Sequence, residues 1–172
     1  MPKVSISPAG ESFDIPAPEA FAPEFDRLKA LAEQARKEGM EVVVVMGVGF
    51  VGAVMAAIVA DTVDKTTGKP NKFVIGCQRP SPRSFWKIPL LNRGESPVKA
   101  EDPEVDPMIA RVVNDKKTLT ATFNSDCLTL ADVVVVDVQC DFSKTELGNM
   151  VTGEADMAAL EATVRTIGQK VP

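Results

Sequence analysis

Residues 41–61 read EVVVVMGVGFVGAVMAAIVAD, passing from a β-branched apolar run through glycines to small apolar residues. Glu41 to Met46 is too short and too β-branched for a helix and reads as a buried strand. Gly47-Val48-Gly49-Phe50-Val51-Gly52 then opens a helix of Ala53, Val54, Ala56, Ala57, Val59 and Ala60. Strand, glycine turn and helix in that order form the context of a dinucleotide fingerprint. Each glycine has its own reason. Gly47 permits the tight turn off the strand, Gly49 lets backbone approach a pyrophosphate, and Gly52 lets the helix pack closely on the strand. Free N–H groups and the helix dipole would face the anion. The bland alternative is an ordinary buried βα turn of a doubly wound sheet.

Working outward, the 172 residues suffice for a sizeable core and read as α/β, a Rossmann-like doubly wound parallel sheet with an extra N-terminal helix. Residues 1–38 form an N-terminal arm and helix, and residues 39–172 the dinucleotide-binding unit. A net charge of −5 and a sequence pI near 4.9 argue against a nucleic-acid partner, because phosphate binding relies on clustered Lys and Arg. No uninterrupted apolar run approaches the ~18 residues of a membrane span, and the first residues lack an apolar leader core, so a cytoplasmic location without membrane association is expected. The chain has no His and no Tyr, which excludes His-based triads, His metal sites and a Tyr-Lys proton relay. Cys77, Cys127 and Cys140 lack CxxC spacing and suit neither a disulfide framework nor a zinc site.

In chain order, residues 1–20 are Pro- and Ser-rich without period and read as an irregular arm. Phe25, Leu28, Leu31 and Ala32 recur at helical spacing between Pro23 and Lys37, with Gly39 as a C-cap. This helix must pack on the sheet edge, on a missing domain or on a second copy. Lys72 to Cys77 is a second strand. At its end, where NAD-binding units carry an acid for the ribose hydroxyls, stands Gln78. A neutral acceptor is worth roughly 0.5–1.5 kcal/mol against 1.5–3 for a charged one, about a tenfold loss in ribose binding. With Arg79 and Arg83 close behind, NADP becomes an alternative to the favoured NAD. Ser84 to Leu91 is partly helical, Pro103 to Asn114 an amphipathic helix, Thr118 to Phe123 a strand, and Asn124 to Leu130 a short helix or turn. Val133 to Val138 reads as a fourth, fully buried parallel strand. Gln139 and Cys140 follow its carboxyl end, where open α/β sheets place ligands, so Val138, Gln139 and Cys140 join the candidate cofactor residues. Glu154 to Gly168 reads as a crossover helix whose next strand is lacking, the mark of a truncated sheet.

These pieces together resemble the N-terminal, NAD-binding domain of the UDP-glucose/GDP-mannose dehydrogenase family of nucleotide-sugar dehydrogenases. The resemblance spans residues 41–142 and lies in GVGFVG at 47–52, LLNRGESPVKAEDPEV at 90–105, TLTAT at 118–122 and ADVVVVDVQ at 131–139. Asn92, Gly94, Ser96 and Pro97 fall as in the family's N-x-G-x-S-P turn. The resemblance implies oxidation of a sugar primary alcohol to a carboxylate by two hydride transfers to NAD, in polysaccharide biosynthesis, with a cysteine of a later domain holding the aldehyde. It implies that Gly47, Gly49 and Gly52 cradle the pyrophosphate and that Cys140 and Asp141 stand where the family has Thr and Pro beside the nicotinamide. The family's catalytic Cys, Lys and Asn lie beyond residue 172, so no catalytic residue is assigned here. Cys140 has no evident base near it in sequence to serve as a nucleophile.

Three expectations follow. The amides around the first βα corner should be available to a diphosphate. A nucleotide sugar should engage only through a further domain, leaving the isolated chain inactive. Uncovered apolar surface should drive homo-oligomer formation.

Overall fold

A computed structural model describes residues 3–143, 148 and 153–171. The N-terminal segment is a hairpin, β1 (Val4–Ile6) paired antiparallel with β2 (Ser12–Asp14), and not an irregular arm. Its short strands carry too few residues to show a period, and it is held by a buried hydroxyl and by an ion pair of Glu11 with Arg93. Ser5 Oγ donates to the Pro82 carbonyl at 2.9 Å and accepts from the Trp86 N–H at 3.1 Å. Next come α1 (Phe21–Lys37), β3 (Glu41–Met46), α2 (Phe50–Ala60), β4 (Lys72–Cys77), α3 (Lys87–Asn92) and α4 (Val105–Ala110). They are followed by β5 (Leu119–Thr122), a 3-10 turn over Ser125–Leu130, β6 (Val133–Val136), the pair β7 (Asp141–Ser143) and β8 (Glu154–Asp156), and α5 (Ala158–Lys170).

Four strands make one parallel sheet in the order β5-β4-β3-β6. The chain steps outward from β3 to β4 to β5, then returns to the opposite side of β3, so the direction of winding reverses between β3 and β6. Such a switch point opens a crevice at the carboxyl ends of its strands. There Met46 is in register with Cys77 on one side and Val136 on the other.

Alternation along β3 sorts its valines between two cores. Val43 and Val45 face α2, whose Ala53, Ala56, Ala57 and Ala60 are fully buried. Their small side chains bring the helix axis close to the sheet. Val42 and Val44, with Phe73 and Ile75 of β4, face Leu28, Ala32 and Ala35 of α1 and Cys127 and Leu128 of the 3-10 turn. The first helix therefore covers a sheet face, and not an edge, a missing domain or a second copy. Its apolar stripe and the second face of β3 and β4 complete each other. Complete burial of a side chain such as Leu28 stabilises by about 2 kcal/mol.

Two other expectations are corrected. The fourth strand ends at Val136 and forms the sheet edge, with Val133 40 % and Val136 37 % exposed. Its valines reflect β propensity as much as burial. Glu154–Asp156 is strand rather than helix, and α5 begins only at Ala158, where Asp156 Oδ1 accepts the Ala158 N–H at 3.0 Å. Ile167 of α5 packs on the α1-side core, and Lys170 pairs with Asp126. The loop before Gly153 falls mostly outside the described residues.

The N-x-G-x-S-P turn has a structural task. Asn92 acts as a false strand at the free edge of β5, accepting the Ala121 N–H on Oδ1 at 2.7 Å and donating from Nδ2 to the Ala121 carbonyl at 3.0 Å. Gly94, at φ +78°, turns against Asn114, and Ser96 Oγ closes the turn onto the Val98 carbonyl at 2.7 Å. No helix described is long and apolar enough to cross a membrane.

Candidate dinucleotide site

The corner between β3 and α2 is shaped by what two of its glycines lack. Gly47 has φ +101°, and a Cβ there would lie 2.0 Å from the Asp137 carbonyl oxygen. A Cβ on Gly52 would lie 1.9 Å from the Gly47 carbonyl oxygen. Gly49 differs. It is the N-cap of α2 at φ −80°, and nothing lies within 4 Å of where its Cβ would be. The open space over the middle glycine is the room that close approach of a ligand to backbone requires.

Val48 points into the protein, fully buried, its Cγ1 2.7 Å from where a Cβ on Gly76 would stand. Gly76 thus belongs to the site, as the gap in β4 that receives the turn. Its only sequence signal is a glycine inside the apolar run KFVIGC, the usual mark of close approach within a strand. Phe50 and Val51 point outward, Phe50 67 % exposed.

The amides of this corner are not all available. The Gly47 N–H donates to the Cys77 carbonyl at 2.8 Å, and the Val48 N–H donates to Gln78 Oε1 at 3.1 Å. The expectation of a corner wholly open to a diphosphate is corrected at these two positions. A neutral amide at the end of β4 is long enough to reach back and satisfy the turn. Among the described residues the Gly49 N–H has no acceptor, and Phe50 and Val51 begin the helix, where N–H groups have no carbonyl one turn earlier to bond. Three adjacent donors, at Gly49, Phe50 and Val51, therefore remain at the positive end of the α2 dipole.

Gln78 is half-buried, its own N–H bonded to the Thr122 carbonyl at 2.9 Å and its Nε2 3.4 Å from Ser84 Oγ. Arg79 and Arg83 lie exposed on the same loop, and among the described residues no ion pair or side-chain hydrogen bond draws either guanidinium to the glycine turn. Val138, Gln139 and Cys140 follow β6 at the mouth of the crevice. Val138 is half-buried, Gln139 donates to Asp141 Oδ1 at 2.7 Å, and Cys140 is exposed. Cys77 and Cys127 are buried. The hydrogen bond with Cys77, then burial, pushes the Cys127 thiol well above its ordinary value and leaves it no thiolate character.

Asp137 is the site residue that the sequence reading missed. It is the first residue past β6, tied to the sheet by its N–H on the Met46 carbonyl at 2.8 Å. Its carbonyl lies against Gly47, and its Oδ2 is 2.6 Å from where a Cβ on Gly52 would stand. The available signal was an acid breaking the apolar run VVVVDV at the carboxyl end of a parallel strand.

Known structures share this fold. The NDP-N-acetyl-D-galactosaminuronic acid dehydrogenase of Methanosarcina mazei Go1 superimposes with a TM-score of 0.63 and 30 % identity over 83 % of this chain. Over this domain the chain is similar to nucleotide-sugar dehydrogenases. The UDP-D-ManNAc dehydrogenase of Pyrococcus horikoshii shares the fold, with a TM-score of 0.55 and 23 % identity over 76 % of the chain. The chain spans 27 % and 26 % of the lengths of these two nucleotide-sugar dehydrogenases. No protein-family model and no curated protein matches the sequence.

Proposed function

We propose that this chain is the dinucleotide-binding unit of an NAD-dependent nucleotide-sugar dehydrogenase of the kind that takes UDP-glucose. The observation that carries the proposal is the open space over Gly49, beneath three unbonded N–H groups at the head of α2 and at the switch point of a parallel sheet. A diphosphate there would accept from Gly49, Phe50 and Val51, and Gly47 and Gly52 would allow the backbone to lie this close. Gln78, at the end of β4, would meet the adenosine ribose. Arg79 and Arg83 beside it leave NADP as the alternative dinucleotide. Val138, Gln139 and Cys140 would line the nicotinamide side. When bound, NAD supplies the hydride acceptor. The 172 residues alone are expected not to oxidise UDP-glucose, because the resemblance would assign the sugar site and the aldehyde-holding cysteine to a further domain.

The test is a calorimetric titration with NAD(H) and NADP(H). Weak binding near millimolar concentration supports the proposal. Absence of both heat and a melting shift with all four at that concentration overturns it.

A second reading is a non-catalytic Rossmann module that senses nucleotide or mediates assembly. The bond from Val48 N–H to Gln78 favours it, since that bond withdraws one amide from the ligand. The coding sequence downstream of Pro172 separates the two. Continuation into a cysteine-bearing sugar domain supports the enzyme, and a stop codon there supports the module.

A further inference from the structure

We propose that Asp137 sets the affinity of this corner for a diphosphate, acting as a built-in anion at the head of α2 that opposes the ligand for which the backbone is shaped. The inference rests on the dinucleotide reading above. The backbone fits such a group, with open space over Gly49 and three unbonded N–H groups, but the charge beside it does not.

The backbone of Asp137 is held at the corner and its carboxylate lies over the glycine turn. Its backbone N–H is held by Met46 at 2.8 Å, its carbonyl fills the space that a side chain on Gly47 would need, and Oδ2 fills the space that one on Gly52 would need. The two glycines that would bring a pyrophosphate close also make room for this acid. Among the described residues no cation pairs with Asp137 and no side-chain hydrogen bond engages it. The nearby guanidinium groups of Arg79 and Arg83 stay on their own exposed loop. The charge that favours Asp137 is the positive end of the α2 dipole, the same feature a diphosphate would use. Competition for that end and direct repulsion act in the same sense. At the reduced effective dielectric of a half-buried crevice, one charge at this range changes the binding of an anion by about tenfold or more.

The experiment titrates the native chain, Asp137→Asn and Asp137→Ala with NAD⁺, with ADP-ribose and with adenosine, each protein first shown by circular dichroism to melt cooperatively. Asn keeps the shape and removes the charge, and Ala serves should Asn pack poorly. The expected result is NAD⁺ and ADP-ribose binding about tenfold tighter in the variants, a gain that shrinks as salt is raised, with adenosine unchanged. Equal affinity of native chain and variants for NAD⁺ overturns the role of Asp137 and leaves the dinucleotide reading in place. A gain that extends equally to adenosine also overturns it, because the effect would then be steric. No binding by any of the three proteins at millimolar NAD⁺ overturns the inference together with the reading beneath it.

Discussion

The backbone N–H of Val48 donates to Gln78 Oε1 at 3.1 Å, joining the glycine turn to the end of the second parallel strand. Removing the acceptor with Gln78→Ala leaves a donor on a buried residue without its partner, at a cost of about 1 kcal/mol. Urea unfolding should show a lowered midpoint with the slope unchanged. A midpoint equal to that of the native chain would mean that water satisfies the amide equally well. Gln78→Asp should tighten NAD and weaken NADP, each by about tenfold, through the ribose diol and the 2′-phosphate respectively. Were neither affinity to move, Gln78 would not be at the ribose.

The glycines of the turn should separate folding from binding. Gly47→Ala places a Cβ 2.0 Å from a backbone carbonyl at a positive φ, with no flexible group to move aside, and should cost more than about 3 kcal/mol. Gly49→Ala meets nothing within 4 Å, should cost less than about 1 kcal/mol, and should still abolish dinucleotide binding. Thermal melts and titrations of both variants check this. A Gly49→Ala chain that binds NAD as the native chain does would place the ligand elsewhere.

Asn92 substitutes for a strand at the edge of β5. Asn92→Ala leaves the Ala121 N–H and carbonyl without these partners, so a loss of about 2 kcal/mol is expected in denaturant unfolding. Faster hydrogen exchange of the Ala121 amide should accompany it. Protection unchanged at Ala121 would show that the side chain is dispensable to the edge.

Asp61, the C-cap of α2, ties that helix to the segment following α4. Arg111 donates to both of its carboxylate oxygens, at 3.0 and 2.7 Å, and Lys116 Nζ lies at 2.8 Å. The Arg111 hydrogen bonds, followed by those of Lys116 and against partial desolvation, bring the Asp61 carboxyl down to about 2. A folded-state value below the unfolded one of ~3.9 means stability that is present above that value and lost as pH falls toward 2. Solvent screening at this partly exposed site reduces the effect to about 1 kcal/mol. Asp61→Asn should therefore be less stable than the native chain at pH 6, with the gap closing between about pH 4 and pH 2. A gap constant across that window would refute the ion-pair account.

Phe50, Val51 and Ile58 present apolar surface on the outer side of α2, Ile58 54 % exposed, and Val133 and Val136 line the unpaired edge of β6. Self-association of the 172-residue chain with a second copy is expected from such a surface. Light scattering should give a mass that rises with concentration, and Ile58→Lys should lower it. A concentration-independent monomer would contradict the expectation.

The stretch from Glu41 to Asp61 determined the βα unit and the class of sheet on its own, because periodicity and glycine chemistry are local properties. The strands at Lys72–Cys77 and Leu119–Thr122 and the helix over residues 23–37 were legible for the same reason. Local pattern did not reveal what lies across the sheet from what. Four valines in β6 look the same at an edge as in the interior, and three-residue strands such as Val4–Ile6 show no period. The apolar stripe of α1 says that it must be covered without saying by which surface. Only folding brings Gln78 to the Val48 amide and Asp137 to Gly47 and Gly52, over separations of 30 residues and more. Sequence determined that a glycine turn of the dinucleotide-fingerprint pattern is built here; the tertiary structure decided which of its amides are already bonded and which charge stands beside it, because hydrogen bonding and electrostatics act through space.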